Sequence, residues 1–282
     1  MLVIFNPTAG SARRRKLARA MGVLGAGAVL AETAGPGDAR RLAAEAARAG
    51  HECVVAAGGD GTIAEVAAGL AGSEAALGIL PFGTANVLAL ELGLPRGAEN
   101  AARIILAGRE ALLHPGLAGD RLFVQMLGAG FDAAVVHGLP LPLKRRFGKA
   151  AYVWQTLREL TCHTYPPLRF RADGGHWEEA VSLIVTNGRL YAGRFLVAPD
   201  ASPLEPGLQL LIQRHGGAAR VLIAGAALPL GALHRMPFIE LRACSRVEIE
   251  GAGVRTQCDG DAGPALPLCV GAAPWLLRIR LP

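Results

Sequence analysis

Short apolar runs alternate with amphipathic stretches along the first part of the chain. Leu2 to Phe5 is wholly apolar and ends at Asn6-Pro7, where the missing proline donor stops a strand. Ser11 to Leu24 reads as a helix. From Asp38 to Ala49, Leu42, Ala43, Ala46 and Ala47 recur at helical spacing against Arg40, Arg41, Glu45 and Arg48. Cys53 to Ala57 predicts a second strand, followed by Gly58-Gly59-Asp60-Gly61 and a helix from Thr62 to Leu70. Leu77 to Leu80 predicts a third, followed by Pro81-Phe82-Gly83-Thr84 and a helix to Leu92. Such alternation implies a parallel sheet with helices on its faces. Ligands then bind at the loops beyond the strand carboxyl ends.

The pattern changes near Leu117. Runs rich in strand-forming residues follow at Leu122–Met126, Leu168–Arg171, Val181–Thr186, Leu208–Gln213, Arg246–Glu250 and Leu276–Arg280. Gly and Pro turns separate them, and one helical stretch, Gly148 to Leu160, interrupts. The fold class expected is α/β. A parallel-sheet domain spans 1–117 and a mostly antiparallel β domain spans 118–282, its last strand a candidate to return to the first domain.

Composition narrows the classes. With 51% hydrophobic and 18% charged residues the chain is not disordered. The start, Met1-Leu-Val-Ile-Phe-Asn-Pro, has neither a basic region nor a cleavage site, so no signal peptide is expected. Val221 to Leu233 is too short for the roughly 20 residues of a spanning helix and contains Pro229, so a buried or interfacial segment is expected. The five cysteines form no CxxC pair or disulfide framework, which suits a reducing cytoplasm. A net charge of +6 suits nucleotides, nucleic acid or an anionic bilayer. No basic and aromatic residues interleave, so no nucleic-acid partner is expected.

Three loops carry candidate chemistry. Asn6-Pro7-Thr8-Ala9-Gly10 precedes a helix, and small residues there let backbone N–H groups approach a phosphate. Arg13, Arg14, Arg15 and Lys16 follow, against the local helix dipole, and either an anion or plain solvation answers that conflict. Gly58-Gly59-Asp60-Gly61-Thr62 sets one carboxylate among glycines, suiting polyphosphate, Mg²⁺ or a hydroxyl proton. The same residues also suit an Asx turn with a helix N-cap. Thr84 and Asn86, in Pro81-Phe82-Gly83-Thr84-Ala85-Asn86, offer a hydroxyl and an amide at a helix start, where either also serves as a cap.

NPTAG, AAGGDGT and LPFGTANVLA, in this order and spacing, resemble the catalytic domain shared by diacylglycerol, sphingosine and ceramide kinases, and in length the small soluble bacterial lipid kinases. Gly128-Ala-Gly130-Phe-Asp132-Ala is similar to that family's GxGxDA element. Asn187-Gly188 through Tyr191-Ala192-Gly193 and Pro199 resembles its NG…YGG…P stretch, and Asp259-Gly260-Asp261 its late DGE motif. The resemblance covers almost the whole chain.

It implies an ATP- and Mg²⁺-dependent lipid kinase with its active site in a cleft between the two domains. Asn6, Thr8, Gly58, Gly59, Asp60, Gly61, Thr62, Gly83, Thr84 and Asn86 would bind the nucleotide. Asp259 is the favoured base and Asp60 the nucleotide and Mg²⁺ partner, although relatives differ on which aspartate is the base. Asp60 and Asp261 would meet the metal. The implied partners are a membrane lipid substrate and the anionic surface that holds it, with peripheral association from the cytoplasm. Monomer or homodimer stays open. Lys144, Arg145, Arg146 and Lys149 near Trp154 suit a bilayer-facing patch or a solvated helix start.

The chain departs from the family pattern at Asp261, where Glu is usual, and at Val87, where GTxND has Asp. Arg194 replaces a common glycine, and Pro206 stands where relatives have DG, which puts a structural Mg²⁺ site in doubt. The Val87 variant is closer to the sphingosine kinases and points weakly to a sphingoid or ceramide acceptor. An NAD kinase-like enzyme and a non-catalytic nucleotide- or lipid-binding relative are the rival readings.

Overall fold

The computed structural model describes residues 1–7, 11–140, 143 and 149–282, leaving aside the side chains of 11, 12 and 149. Thr8 and the basic run Lys144, Arg145, Arg146 with the Lys149 side chain lie outside the described residues. The chain divides into two units, Met1–His114 with Pro274–Pro282, and Pro115–Ala273.

The first unit runs β1 (Leu2–Phe5), α1 (Ser11–Leu24), β2 (Val29–Glu32), α2 (Asp38–Arg48), β3 (Cys53–Gly58), α3 (Asp60–Gly69), β4 (Ala76–Pro81), α4 (Val87–Glu91), α5 (Ala98–Ala107) and β5 (Arg109–Leu113). Its sheet has the order β2-β1-β3-β4-β20-β5, where β20 (Leu277–Leu281) comes from the chain's end. β1, β2, β3, β4 and β20 pair in parallel, and β5 pairs antiparallel to β20. β3 and β4 are buried at every residue, as a strand covered on both faces requires. Val3, Phe5, Val55 and Leu80 meet Leu17 and Ala20 of α1 and Ile105 of α5 in the core.

Besides a two-stranded ribbon, β12 (Leu190–Tyr191) with β13 (Phe195–Leu196), the second unit has two six-stranded antiparallel sheets. One is β10-β9-β16-β19-β6-β7, comprising β6 (Gly116–Ala118), β7 (Arg121–Phe123), β9 (Leu168–Ala172), β10 (Glu178–Ala180), β16 (Arg246–Glu250) and β19 (Leu268–Ala272). The other is β15-β14-β11-β8-β17-β18, comprising β8 (Met126–Gly130), β11 (Ser182–Thr186), β14 (Leu208–Gln213), β15 (Ile239–Cys244), β17 (Thr256–Cys258) and β18 (Asp261–Ala262). Leu168, Phe170, Val247 and Ile249 from the first sheet and Leu183, Val185, Leu210 and Ile212 from the second fill one core. Alternate residues of β9 and β16 face outward, as period-2 patterning dictates.

Four sequence expectations are corrected. The run Leu122–Met126 is two strands, β7 and β8, because the intervening N–H groups turn onto a side chain described below. α3 begins at Asp60, not Thr62, so the acidic residue belongs to a helical turn. Three helices lie outside the expected pattern, α5, α6 (Phe131–Gly138) after β8 and α8 (Ala218–Ala227) after β14, whereas α7 (Lys149–Cys162) lies within it. Of the two readings of the segment around Val221, buried or interfacial, the buried one does not hold. Leu222, Ile223 and Leu230 are exposed, while Ala227 and Leu233 are buried and Ala224 and Leu228 pack against the core beside them. Among the described residues no helix is long and apolar enough to cross a membrane.

Candidate active site

In the first unit the site begins where β3 and β4 end. Gly58 pairs with Pro81 across the parallel ladder, so the two following loops leave side by side. They approach until backbone meets backbone: a Cβ on Gly83 would lie 2.5 Å from the Gly59 Cα, and one on Gly59 3.2 Å from the Gly83 Cα. Only glycine fits at Gly83.

α3 then starts with Gly59 at its N-cap, a residue with no side chain of its own to cap the first turn. The Asp60 carboxylate serves a different helix. Its Oδ2 accepts the Asn86 N–H at 2.9 Å and its Oδ1 the Val87 N–H at 2.5 Å, capping α4. Asn86 is left-handed, with φ 50°. Its side chain closes the loop instead of capping α4: Oδ1 accepts the Gly83 N–H at 2.8 Å, and Nδ2 donates to the Gly83 carbonyl at 2.9 Å. Thr62 is buried and accepts from Asn6 Nδ2 at 3.4 Å, whereas Thr84 is exposed. Asn6, Gly58, Gly59, Asp60, Gly61, Thr62, Gly83, Thr84 and Asn86 thus belong to neighbouring loops of one sheet.

Asp259 and Asp261 belong to the second unit. Asp259-Gly260 is the two-residue turn between β17 and β18, with Cys258 paired to Asp261 and positive φ at both turn residues, 49° and 83°. Asp-Gly suits a type I′ hairpin turn because glycine carries the second left-handed position without strain. The Asp259 carboxylate gathers the link between β7 and β8. Oδ2 accepts Val124 N–H at 2.8 Å, and Oδ1 accepts Gln125 and Met126 N–H at 2.9 and 3.0 Å. These occupy three of the roughly four acceptor positions of a carboxylate. Asp261 is exposed on β18.

Next to this turn stands a network. Asp132, in the first turn of α6, accepts the Tyr191 hydroxyl on Oδ1 and Gln257 Nε2 on Oδ2 at 2.8 Å. Gln257 Oε1 in turn accepts the Gly260 N–H at 2.8 Å. Desolvation pushes the Asp132 pKa up against the two donors that pull it down, and burial raises that of Tyr191 well above its usual value. The motif residues Asp132, Tyr191 and Asp259 therefore belong to one connected assembly that positions the turn.

Sequence reasoning missed Gln125. Its side chain is 4% exposed, and neither amide atom has a partner. An unpaired buried amide costs stability, so this residue is a candidate for ligand or water recognition beside Asp259. Its place next to a motif-like run was the only signal, and the run itself reads as an unbroken strand.

The glycine contact and the uncapped start of α3 fit a phosphate group, since backbone N–H groups and the helix dipole favour an anion there. A protein-only metal cage does not fit. Among the described residues no group of three or more His, Cys, Asp or Glu stands ready to hold a metal ion. A magnesium ion held by one carboxylate and phosphate oxygens would need no such cage.

Residues 1–116 match the diacylglycerol kinase catalytic domain family, and residues 125–281 match the YegS C-terminal NAD kinase beta sandwich-like domain. A probable lipid kinase YegS-like of Pseudomonas putida is 33% identical over 87% of this chain and 82% of its own. One of Pseudomonas aeruginosa is 32% identical over 100% of this chain and 94% of its own. Among solved structures, a diacylglycerol kinase from Bacillus anthracis superposes with a TM-score of 0.75 at 19% identity, covering 100% of this chain and 96% of that one. An NAD kinase from Archaeoglobus fulgidus in complex with ATP reaches 0.56 at 12%, covering 99% and 92%. At these identities the structures establish the fold alone. With both domain families matched in order and relatives aligned along nearly its whole length, the chain belongs to the YegS-like lipid kinases.

Proposed function

We propose that this lipid kinase transfers the γ-phosphoryl group of ATP to a hydroxyl of a membrane lipid: diacylglycerol, ceramide or a sphingoid base. The contact of Gly59 with Gly83 beside the uncapped start of α3 carries the nucleotide half of this reading. Asn6, Thr8, Gly58, Gly61, Thr62, Thr84 and Asn86 complete the nucleotide loops, and Asp60 fixes their geometry by capping α4.

Asp259 is the proposed base. Its three N–H partners hold the carboxylate in one orientation, and a loose transition state asks only that it align the lipid hydroxyl and accept a proton late. A magnesium ion, brought with the nucleotide, would neutralise phosphate charge near Asp60 or Asp261.

The test is a labelled-ATP assay on mixed micelles offering diacylglycerol, ceramide, sphingosine and monoacylglycerol separately, with NAD as a soluble acceptor. Label transferred to one lipid and lost in Asp259→Asn supports the reading. Label on NAD alone replaces the acceptor class, and tight ATP binding without transfer leaves a binding protein.

A further inference from the structure

The second unit carries apolar side chains on its surface where two helices adjoin. On α7, Val153, Trp154 and Leu157 are 62%, 49% and 54% exposed, while Ala151 and Gln155 face inward. On α8, Leu222 and Ile223 are 55% and 50% exposed, and Leu230, just beyond it, is 81% exposed. α7 and α8 touch one another. Six large apolar side chains on adjoining surface segments exceed the scattered single residues that an ordinary surface carries.

Charge selects the occupant. Arg158 on α7 is exposed beside these apolar side chains. Arg220 on α8 and Arg235 beyond it are exposed as well, and residues 215–239 contain no acidic residue. Glu159, the acidic residue of α7, is half-buried where it accepts Gln155 Nε2 at 2.8 Å, and the exposed arginines outnumber it. The Arg158 guanidinium lies 5.8 Å from the Trp154 ring centre, joining an apolar ring to a cation. A second copy of the chain would bring the same positive segments face to face, so self-association on this surface is opposed by like charge. Anionic lipid headgroups over an acyl layer satisfy both the charge and the apolar side chains.

We propose that the α7–α8 face docks on an anionic bilayer, lying in its interface with Val153, Trp154, Leu157, Leu222, Ile223 and Leu230 among the acyl chains. This rests on the lipid-acceptor reading and adds the surface by which the enzyme reaches that acceptor. Neither helix spans: 14 and 10 residues give about 21 and 15 Å, short of a hydrocarbon core of roughly 30 Å.

The experiment floats the protein with vesicles of phosphatidylcholine alone or mixed with phosphatidylglycerol. The wild type is expected to float with the anionic vesicles and to be released by salt. Trp154→Ser/Leu222→Ser/Ile223→Ser and Arg158→Glu/Arg220→Glu should each lower binding about tenfold or more, with unchanged circular dichroism. Bromine-labelled acyl chains should quench wild-type fluorescence more than that of Trp154→Phe. Wild-type binding independent of these residues overturns the proposal. So does a dimer in sedimentation velocity that the serine variant converts to monomer while vesicle binding persists. Turnover separates this from the kinase reading: the variants should keep activity on a short-chain, water-dispersed acceptor and lose it on vesicles. A wild type that binds through this face yet phosphorylates no lipid leaves the docking surface standing and removes the kinase proposal.

Discussion

The carboxylate of Asp259 accepts the backbone N–H of Gln125, 134 residues earlier in the chain, at 2.9 Å. With Val124 and Met126 also donating, one side chain organises the break between two strands. A change at Asp259 is therefore never purely chemical. Asp259→Asn replaces an acceptor oxygen with a donor facing N–H groups. It should lower unfolding free energy by about 1–3 kcal/mol as well as abolish transfer. Urea midpoints beside labelled-phosphate assays check this, and an unchanged midpoint refutes the structural part.

Asp60 makes the parallel case in the first unit. Asp60→Ala removes the cap on α4 and should cost about 1 kcal/mol, whereas Asp60→Asn, a competent cap, should recover most of it. A deficit in turnover that persists in Asp60→Asn, after stability is restored, would assign a role in transfer to the charge itself.

Gly83→Ala puts a methyl group 2.5 Å from Gly59 Cα and 2.4 Å from Asn86 Oδ1. The loops must separate, with a destabilisation of about 1–3 kcal/mol. Weakened binding of a fluorescent ATP analogue should accompany it, and intact nucleotide binding would detach the glycine contact from phosphate recognition.

Gln125→Met keeps the volume and removes two buried polar atoms without partners. It should leave stability equal or raise it by about 1–2 kcal/mol. A more stable protein with weaker acceptor turnover would identify an amide kept for a ligand, and a less stable one would identify a buried water as its partner.

Glu178 accepts from Arg242 at 2.6 Å and from Arg214 at 2.7 Å, and these hydrogen bonds lower its pKa from 4.5 to about 2. A carboxyl group lowered in the folded state adds stability that is present above the unfolded value and lost as pH falls towards the folded one. Stability should therefore drop between pH 4.5 and about 2, and Glu178→Gln should flatten that slope. Thermal unfolding across this range measures it.

By itself the sequence determined much of the parallel layer, because apolar runs and helical spacing are local: β1, β3, β4, α1 and α2 stand where patterning placed them, whereas β2, β5 and α5 did not follow from it. It likewise marked Asp60, Asp132 and Asp259 through short motifs with glycine neighbours. It did not indicate what these carboxylates touch. Asp60 caps a helix 27 residues onward, Asp259 gathers N–H groups more than 130 residues back, and Gln257 joins Asp132 across 125 residues. The break in Leu122–Met126 follows from such a contact, and no local pattern records it. Exposure of α8 was hidden for the same reason. An apolar helix reads alike whether it faces a core or a membrane, and only the packing of the rest of the chain decides which face is left open.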